Sequence, residues 1–503
     1  MARMVPPGAE STSPVRDAVA GASPPRLLSG LSLALILVGG SVGAVFLSRS
    51  PLVGVAANYA FPVLGLAIGG LLLLHHRHVH FIEFVLWLWL LGPFVRRVVD
   101  WSTHFHPLSP VIITAPLVSI LGLSLLLTQR RPVHRGWVLL VTATLAIYGY
   151  GLAVGLLLVG RGAPLAGALD LIGPLSIGVA ILLARPRHEP DLLATLVRSA
   201  RWAAIILGGY GVAQFLLMPP WDAAWVVNSH ISTVGAPVAL HIRVFSTLNT
   251  AGPLAQALSA LLLILLVTPR RRGWLDALAL VLGYAALGLS LVRAAWLVHA
   301  IAILLLVLFG RLSAVKVLAA AAAAVAFGLL VSGPLTATVN NRVVSSIQAG
   351  SQDRSLSVRL AFQEKIVHDV LAEPLGRGIG SAGLATRLAN GTNAARIQNF
   401  DSGVFETLFT LGLLGGLTIL VLTARVVYRA WQLTIRPPNP LAGFAAAAVA
   451  LSLALLTTNT YRSIYGVLLW LSLGIIGRVT PEPRPAPVAP AQAAVGGAPT
   501  SPT

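Results

Sequence analysis

Between Leu28 and Ile476 the sequence alternates long apolar runs with short polar breaks rich in arginine. Most runs last roughly 17–25 residues, the length a helix needs to cross the hydrocarbon of a bilayer. Strand-like alternation is absent, and in lipid each backbone amide must be satisfied within its own segment, so the runs predict helices. About fourteen spans are expected, near 28–47, 53–75, 80–95, 107–127, 136–159, 165–184, 200–218, 249–267, 274–291, 294–309, 314–332, 402–424, 441–458 and 462–477. The third and tenth are short enough to be re-entrant or tilted.

Two breaks are too long to be simple connectors, 219–250 and 332–400. Inside the second, Leu356, Leu360, Ile366, Val367, Val370 and Leu371 fall on one side of an amphipathic helix that Pro374 and Gly376 would end. Such a helix lies on the membrane surface or caps the bundle. Residues 27–478 therefore read as one polytopic membrane domain, flanked by Pro/Ala-rich disordered tails at 1–26 and 479–503. The first apolar run is long and lacks a small-residue cleavage site, so a removable signal peptide is not expected.

Composition narrows the class further. With 56% hydrophobic and 10% charged residues, and a mean hydropathy of +0.83, the chain cannot clothe a soluble surface. The net charge of +19 would suggest nucleic acid in a soluble protein, but here most basic residues sit in loops that set orientation, and no nucleic-acid partner is expected. Cysteine is absent, which excludes disulfides, thiolate metal sites and a cysteine nucleophile. The run from His75 to His80 reads as a solvated interfacial loop rather than a metal site.

Placing both termini in the cytoplasm puts fifteen Arg and Lys in the inner loops. The short outer loops receive seven: Arg49, Arg96, Arg97, Arg161, Arg243, Arg293 and Arg462. That bias satisfies the positive-inside rule. Arg342, Arg354, Arg359, Lys365 and Arg377 add positive charge outside against the bias. Arginine is costly within lipid and its planar fork fits phosphate, so an external arginine cluster suits an anionic, lipid-linked substrate. Solvation and headgroup contact are the alternatives for each of these residues.

Asp401 stands at the start of the twelfth span, where it fits either a helix N-cap or a base. His230, His241 and His368 are other bases on that side, and Trp221 and Trp225 either stack on sugar rings or anchor at the interface. Gly378-x-Gly380-x-x-Gly383 matches a dinucleotide fingerprint only by letter, because no strand precedes it.

Taken together these stretches resemble the O-antigen ligase and polysaccharide polymerase superfamily of bacterial envelope proteins. Arg243-Val-Phe-Ser-Thr-Leu-Asn249 resembles its Arg-x-Phe-Gly-Thr-x-Asn stretch, with Ser246 in place of Gly. Leu289 to Trp296 resembles its Ser-Arg-x-x-Trp segment, with Val292 where Ser is usual. Pro374 to Gly380 resembles its Pro-Leu-Gly-x-Gly stretch. The ligase pattern of His, Asn or Ser, nine residues, Gly, two residues, Gly maps onto Asp401, Ser402, Gly412 and Gly415, with Asp replacing His.

The resemblance implies an all-α, GT-C-like membrane glycosyltransferase of the bacterial inner membrane, working without metal or cofactor. Its donor would be a glycan on undecaprenyl pyrophosphate and its acceptor a hydroxyl of a glycan or lipid, with membrane lipids around it. Arg243 and Arg293 would neutralise the pyrophosphate and Asp401 would take the acceptor proton. Arg359, Arg377, His241, Asn249 and Trp296 would line the substrate. The Asp401 departure leaves ligase and polymerase both open. A flippase or transporter of lipid-linked glycans is the alternative, although no internal repeat is visible and Glu83 and Asp170 sit near span ends. A non-catalytic assembly subunit is the third reading.

Overall fold

The computed structural model describes residues 28–48, 50–106, 109–129, 133–185, 191–268, 273–313, 354–383, 385–386, 400, 402–435, 439–457 and 460–479. The span expected at 314–332, the rest of the 332–400 loop and the two tails lie outside these residues.

The described chain folds into α1 (Gly30–Ser48), α2 (Pro51–Leu74), α3 (His78–Ser102), α4 (Pro110–Thr128), α5 (Arg135–Leu158), α6 (Gly162–Leu183) and α7 (Leu192–Leu217). There follow α8 (Pro220–Ser229), α9 (Ala251–Val267), α10 (Trp274–Leu289), α11 (Arg293–Leu308), α12 (Arg354–Ala372), α13 (Gly403–Ile435), α14 (Ala442–Ala454) and α15 (Ser463–Val479). No strand forms among the described residues; a single antiparallel bridge pairs Gly235 with Ile242. The protein is thus an all-helical integral membrane protein. Eight helices, α1 to α7 and α13, are long and apolar enough to cross a membrane, and α9, α10, α11, α14 and α15 are apolar but shorter.

Helix α3 is the centre of the bundle, with 89% of its apolar window buried. It also corrects the sequence reading, which ended this span at residue 95 and placed Arg96 and Arg97 in a loop. The helix runs 25 residues, because its charges are paired inside the protein and need no exit to water. Arg97 pairs with Asp222 of α8 at 2.7 Å, and Arg96 with Asp100 at 3.2 Å. A hydropathy window registers the charge but not the partner 125 residues away.

Small residues let the remaining helices approach closely, as expected where packing rather than water drives association. Gly178 of α6 lies against the backbone of Trp470 in α15, and Gly474 against Gly178 in return. Gly443, in the first turn of α14, packs on Ile264 near the end of α9, so those helices run antiparallel. Leu455, just past α14, therefore lies at the end where α9 begins. It accepts hydrogen bonds from Ser402 Oγ and Val404 N, which brings the start of α13 to the same end. At the periphery α11 shows an exposed apolar stripe of Leu297, Ile301, Leu304 and Leu308, one side of a helix spaced for lipid.

The amphipathic helix expected in the long loop is α12. Its Ile366 and Val370 are buried with Phe409 of α13, so it caps the bundle through that contact, while Val367 and Leu371 remain exposed.

Candidate functional site

The stretch from Arg243 to Asn249 enters α9 through an irregular backbone, and polar side chains of the bundle hold it. Gln214 Oε1 accepts from the amides of Phe245 (2.9 Å) and Ser246 (2.8 Å). The fully buried Arg97 donates to the carbonyls of Ser246 and Leu248. Asp222, which fixes Arg97, accepts from Tyr210 Oη and Gln214 Nε2, both at 2.7 Å. Thr247 Oγ1 donates to the Leu90 carbonyl at 2.7 Å. This network ties the loop to the helices around it.

Ser246 occupies φ +51°, the left-handed region that favours glycine. That is the position at which the sequence departs from the family's glycine. The serine offsets the strain with a 2.6 Å hydrogen bond from its Oγ to the Leu207 carbonyl.

Arg243 reaches across to the turn between α10 and α11. Its guanidinium donates to three carbonyls, those of Thr233 (2.9 Å), Ser290 (3.2 Å) and Leu291 (3.1 Å). Leu291 has φ +53°, and two residues later Arg293 opens α11 with an exposed side chain. Trp296 Nε1 ties α11 back to the Leu287 carbonyl at 2.8 Å. The structure thus gathers Arg243, Arg293 and Trp296 about one turn. His241 is exposed beside them on the loop, and Asn249 begins the descent into α9, its Oδ1 buried without a hydrogen bond.

The Pro374–Gly380 stretch forms a second structure at this end. Arg377 is held by Glu373 through two bonds (2.7 and 2.9 Å) and lies 4.9 Å from the centre of the Phe409 ring. Gly376 meets the backbone of Gly412, which breaks α13 with φ +75°; a Cβ on Gly412 would fall 2.6 Å from the Pro374 and Leu375 carbonyl oxygens. Gly378 and Gly380 press on Gly155 of α5 and Pro164 of α6, and Ile379 N donates to the Gly151 carbonyl at 2.8 Å. The glycine pattern that resembles a nucleotide fingerprint therefore serves backbone packing.

Beneath that stretch lies a polar cluster that the sequence reading missed. Arg462 pairs with Glu406 at 2.6 Å, and Asp170 Oδ1 accepts from Ser463 N (3.0 Å) and Oγ (2.9 Å). A small cavity is lined by Tyr148, Glu406, Thr407, Thr410, Tyr461 and Arg462, among others. Tyr148 Oη and Thr410 Oγ1 are buried without hydrogen bonds. Burial pushes the Tyr461 phenol up to about 12. The available signal was charge within apolar runs: Asp170 and Glu406 each interrupt one, but only the fold brings Arg462 to them.

Asp401 lies outside the described residues, next to the described Ser402. Arg359 sits on the backbone of α12, and its side chain is outside the described set. Arg377 is not part of the Arg243–Arg293 turn; it is built onto α13 through Phe409.

A bundle of apolar helices that carries one knot of arginines and glycine-packed loops at a single end defines a polytopic membrane protein with a built polar site. Residues 277–420 match the family model described as O-antigen ligase. Over this segment, less than a third of its length, the chain is similar to that family. The matched segment holds Arg293, Trp296, Gly376 and Gly412, whereas the Arg243 stretch precedes it. No curated protein matches the chain.

Proposed function

We propose that this protein is a glycosyltransferase of the bacterial inner membrane that moves a glycan from undecaprenyl pyrophosphate onto a hydroxyl of a glycan or lipid. The turn at 290–293 carries this reading. Arg243 fixes its carbonyls, Arg293 projects from it, and it belongs to the segment that matches the O-antigen ligase family. In this proposal both termini are cytoplasmic, the site is external, and a GT-C-like bundle of about fourteen spans surrounds it.

The acceptor oxygen attacks the anomeric carbon, the bond from that carbon to the pyrophosphate oxygen breaks, and the acceptor proton leaves to a base. Arg293 neutralises the charge that builds on the departing pyrophosphate. Arg243 acts mainly as a positioning residue, since three of its donors are committed to carbonyls, and its charge adds to the field that neutralises the same anion. Asp401, at the family's base position, orients the acceptor hydroxyl and takes its proton late. His241, Asn249, Trp296, Arg359 and Arg377 are assigned to substrate contact. No step calls on a metal or cofactor.

The test is made with the full chain in nanodiscs given an undecaprenyl-pyrophosphate glycan. Wild type should yield transferred or lengthened glycan, and Arg293→Ala and Asp401→Ala should lose it while remaining folded. Movement of intact lipid-linked glycan between leaflets with no new glycosidic bond would overturn the proposal in favour of a flippase.

A further inference from the structure

The end of α12 and the chain that follows it carry apolar side chains that the bundle does not cover. Val367 is 41% exposed and Leu371, one turn on, 65%; beyond the helix Leu375 is 71% exposed. The same surface continues onto α13, where Leu414 is 82% exposed and Leu417 and Val421 follow at helical spacing. The two elements are joined through their backbones at the break in α13. Leu413 N, turned away from its ordinary helical partner Phe409, donates to the Pro374 carbonyl at 2.8 Å, and the Phe409 carbonyl accepts from Arg377 N at 3.0 Å instead. Gly378 N donates to the Thr410 carbonyl at 2.9 Å, and Tyr150 Oη of α5 donates to the Leu375 carbonyl at 2.8 Å.

Helices α5 and α13 act as rulers for the height of Leu375. At the far end of both, His134 and Arg429 meet at 3.3 Å, so the two helices share a level there. Exposed Arg425 marks that edge of the hydrocarbon on α13, and Gly412, which abuts the Leu375 carbonyl, stands about 20 Å from it along the helix. On α5 the edge is Arg135, the first residue, and Tyr150 stands about 22 Å above it. Tilt makes both rises smaller. Against a hydrocarbon core of about 30 Å, and allowing a few ångströms for a snorkelling arginine, Leu375 lies about 5–10 Å below the opposite edge.

We propose that the last turns of α12 and the bend at Leu375 are seated in the lipid of the leaflet at this end, so that the 374–383 segment is re-entrant rather than an aqueous loop. Irregular backbone at that depth is tolerated where protein meets its polar groups. Here the amides of Arg377, Gly378 and Ile379 reach α13 and α5, and the Leu375 carbonyl takes the Tyr150 hydroxyl. Lipid is the occupant because the surface is continuous with the exposed apolar face of α13, a helix long and apolar enough to span. The charges fit the same placement. Exposed Glu364, Lys365 and His368 all precede Leu371 on the helix, and beyond it Glu373 and Arg377 neutralise each other at 2.7 Å. An amphipathic helix that enters the interface by one end has this distribution. The seating follows from the bundle's place in the membrane and does not rest on the function proposed above.

The chain has no cysteine, so single cysteines can carry an environment-sensitive NBD label on the full protein in nanodiscs. Labels at Leu371→Cys and Leu375→Cys should emit blue-shifted and be shielded from aqueous iodide. Lipid nitroxide placed near the headgroup end of the acyl chain should quench them several-fold more than nitroxide near the chain tail. Leu417→Cys, deeper on the lipid face of α13, should favour the tail nitroxide, and Lys365→Cys should be quenched by iodide. All four side chains are exposed, so the labelled variants should keep the wild-type elution volume. The proposal is overturned if the labels at 371 and 375 are quenched by iodide as the label at 365 is. It is overturned equally if they escape both quenchers, since protein rather than lipid would then cover the surface.

Discussion

Replacing Arg97 with methionine removes the centre of the knot that holds the Arg243–Asn249 stretch. The side chain is buried, pairs with Asp222 at 2.7 Å and donates to two backbone carbonyls. Breaking a buried pair from one side costs about 3–5 kcal/mol, because the surviving charge is left without its counterion. Tyr210 and Gln214 still donate to Asp222 and soften that loss, while the Ser246 and Leu248 carbonyls lose a donor and add to it. A net cost of about 4 kcal/mol follows, roughly a thousandfold in the folding equilibrium. Adding Asp222→Asn removes the stranded charge and keeps acceptors for Tyr210 and Gln214, so the double variant should recover about 2–3 kcal/mol relative to additivity. Arg97→Lys should be intermediate, since a compact ammonium keeps the charge but lacks the planar fork that spans Asp222 and the two carbonyls. The assay is unfolding in a mixed-micelle SDS titration, followed by tryptophan fluorescence. A single-variant cost below about 1 kcal/mol, or strict additivity in the double variant, would falsify the role given to this pair.

Four further outcomes are expected. Gly412→Ala places a Cβ against the Pro374 and Leu375 carbonyls at φ +75°; it should cost about 1–3 kcal/mol and expose residues 374–380 to limited proteolysis. Ser246→Gly relieves a left-handed serine but loses its bond to Leu207, and terms of about 1 kcal/mol each should nearly cancel in the same unfolding assay. Ser246→Ala keeps the strain, loses the bond and should cost about 1–2 kcal/mol. Asp401→His restores the residue usual in ligases; transfer should persist, with a rate that falls as pH drops through about 6.5, where an imidazole base becomes protonated.

The helical bundle was legible because apolar runs announce themselves, and α12 was legible because Ile366 and Val370 recur with helical spacing. The extent of α3 was not. Arg96 and Arg97 look like a loop in any local window, since the acid that neutralises Arg97 arrives from α8. The motif residues show a similar division. The sequence marks Arg243 as a cation suited to phosphate, but its three carbonyl acceptors lie in segments ten and nearly fifty residues away. Ser246 could be seen as a departure from glycine, yet why serine is tolerated depends on Leu207, one helix earlier. The Glu406–Arg462 pair crosses two helices and leaves no local trace. Asp401 rests on sequence alone.

The exposed stripe of α11 bears on the bilayer as well as on the protein. With 16 residues, the helix is about 24 Å long, some 6 Å less than an ordinary hydrocarbon core of about 30 Å. Thinning of the lipid that wets Leu297, Ile301, Leu304 and Leu308 is one way a bilayer matches so short a span. Arg293, at the first residue of the helix, would then stand at the edge of the thinned patch. Under the proposed function, a polyprenyl chain entering such a thinned patch would lower its charged head toward that arginine without leaving the membrane, so that the shortness of one helix would act as a funnel in the lipid itself.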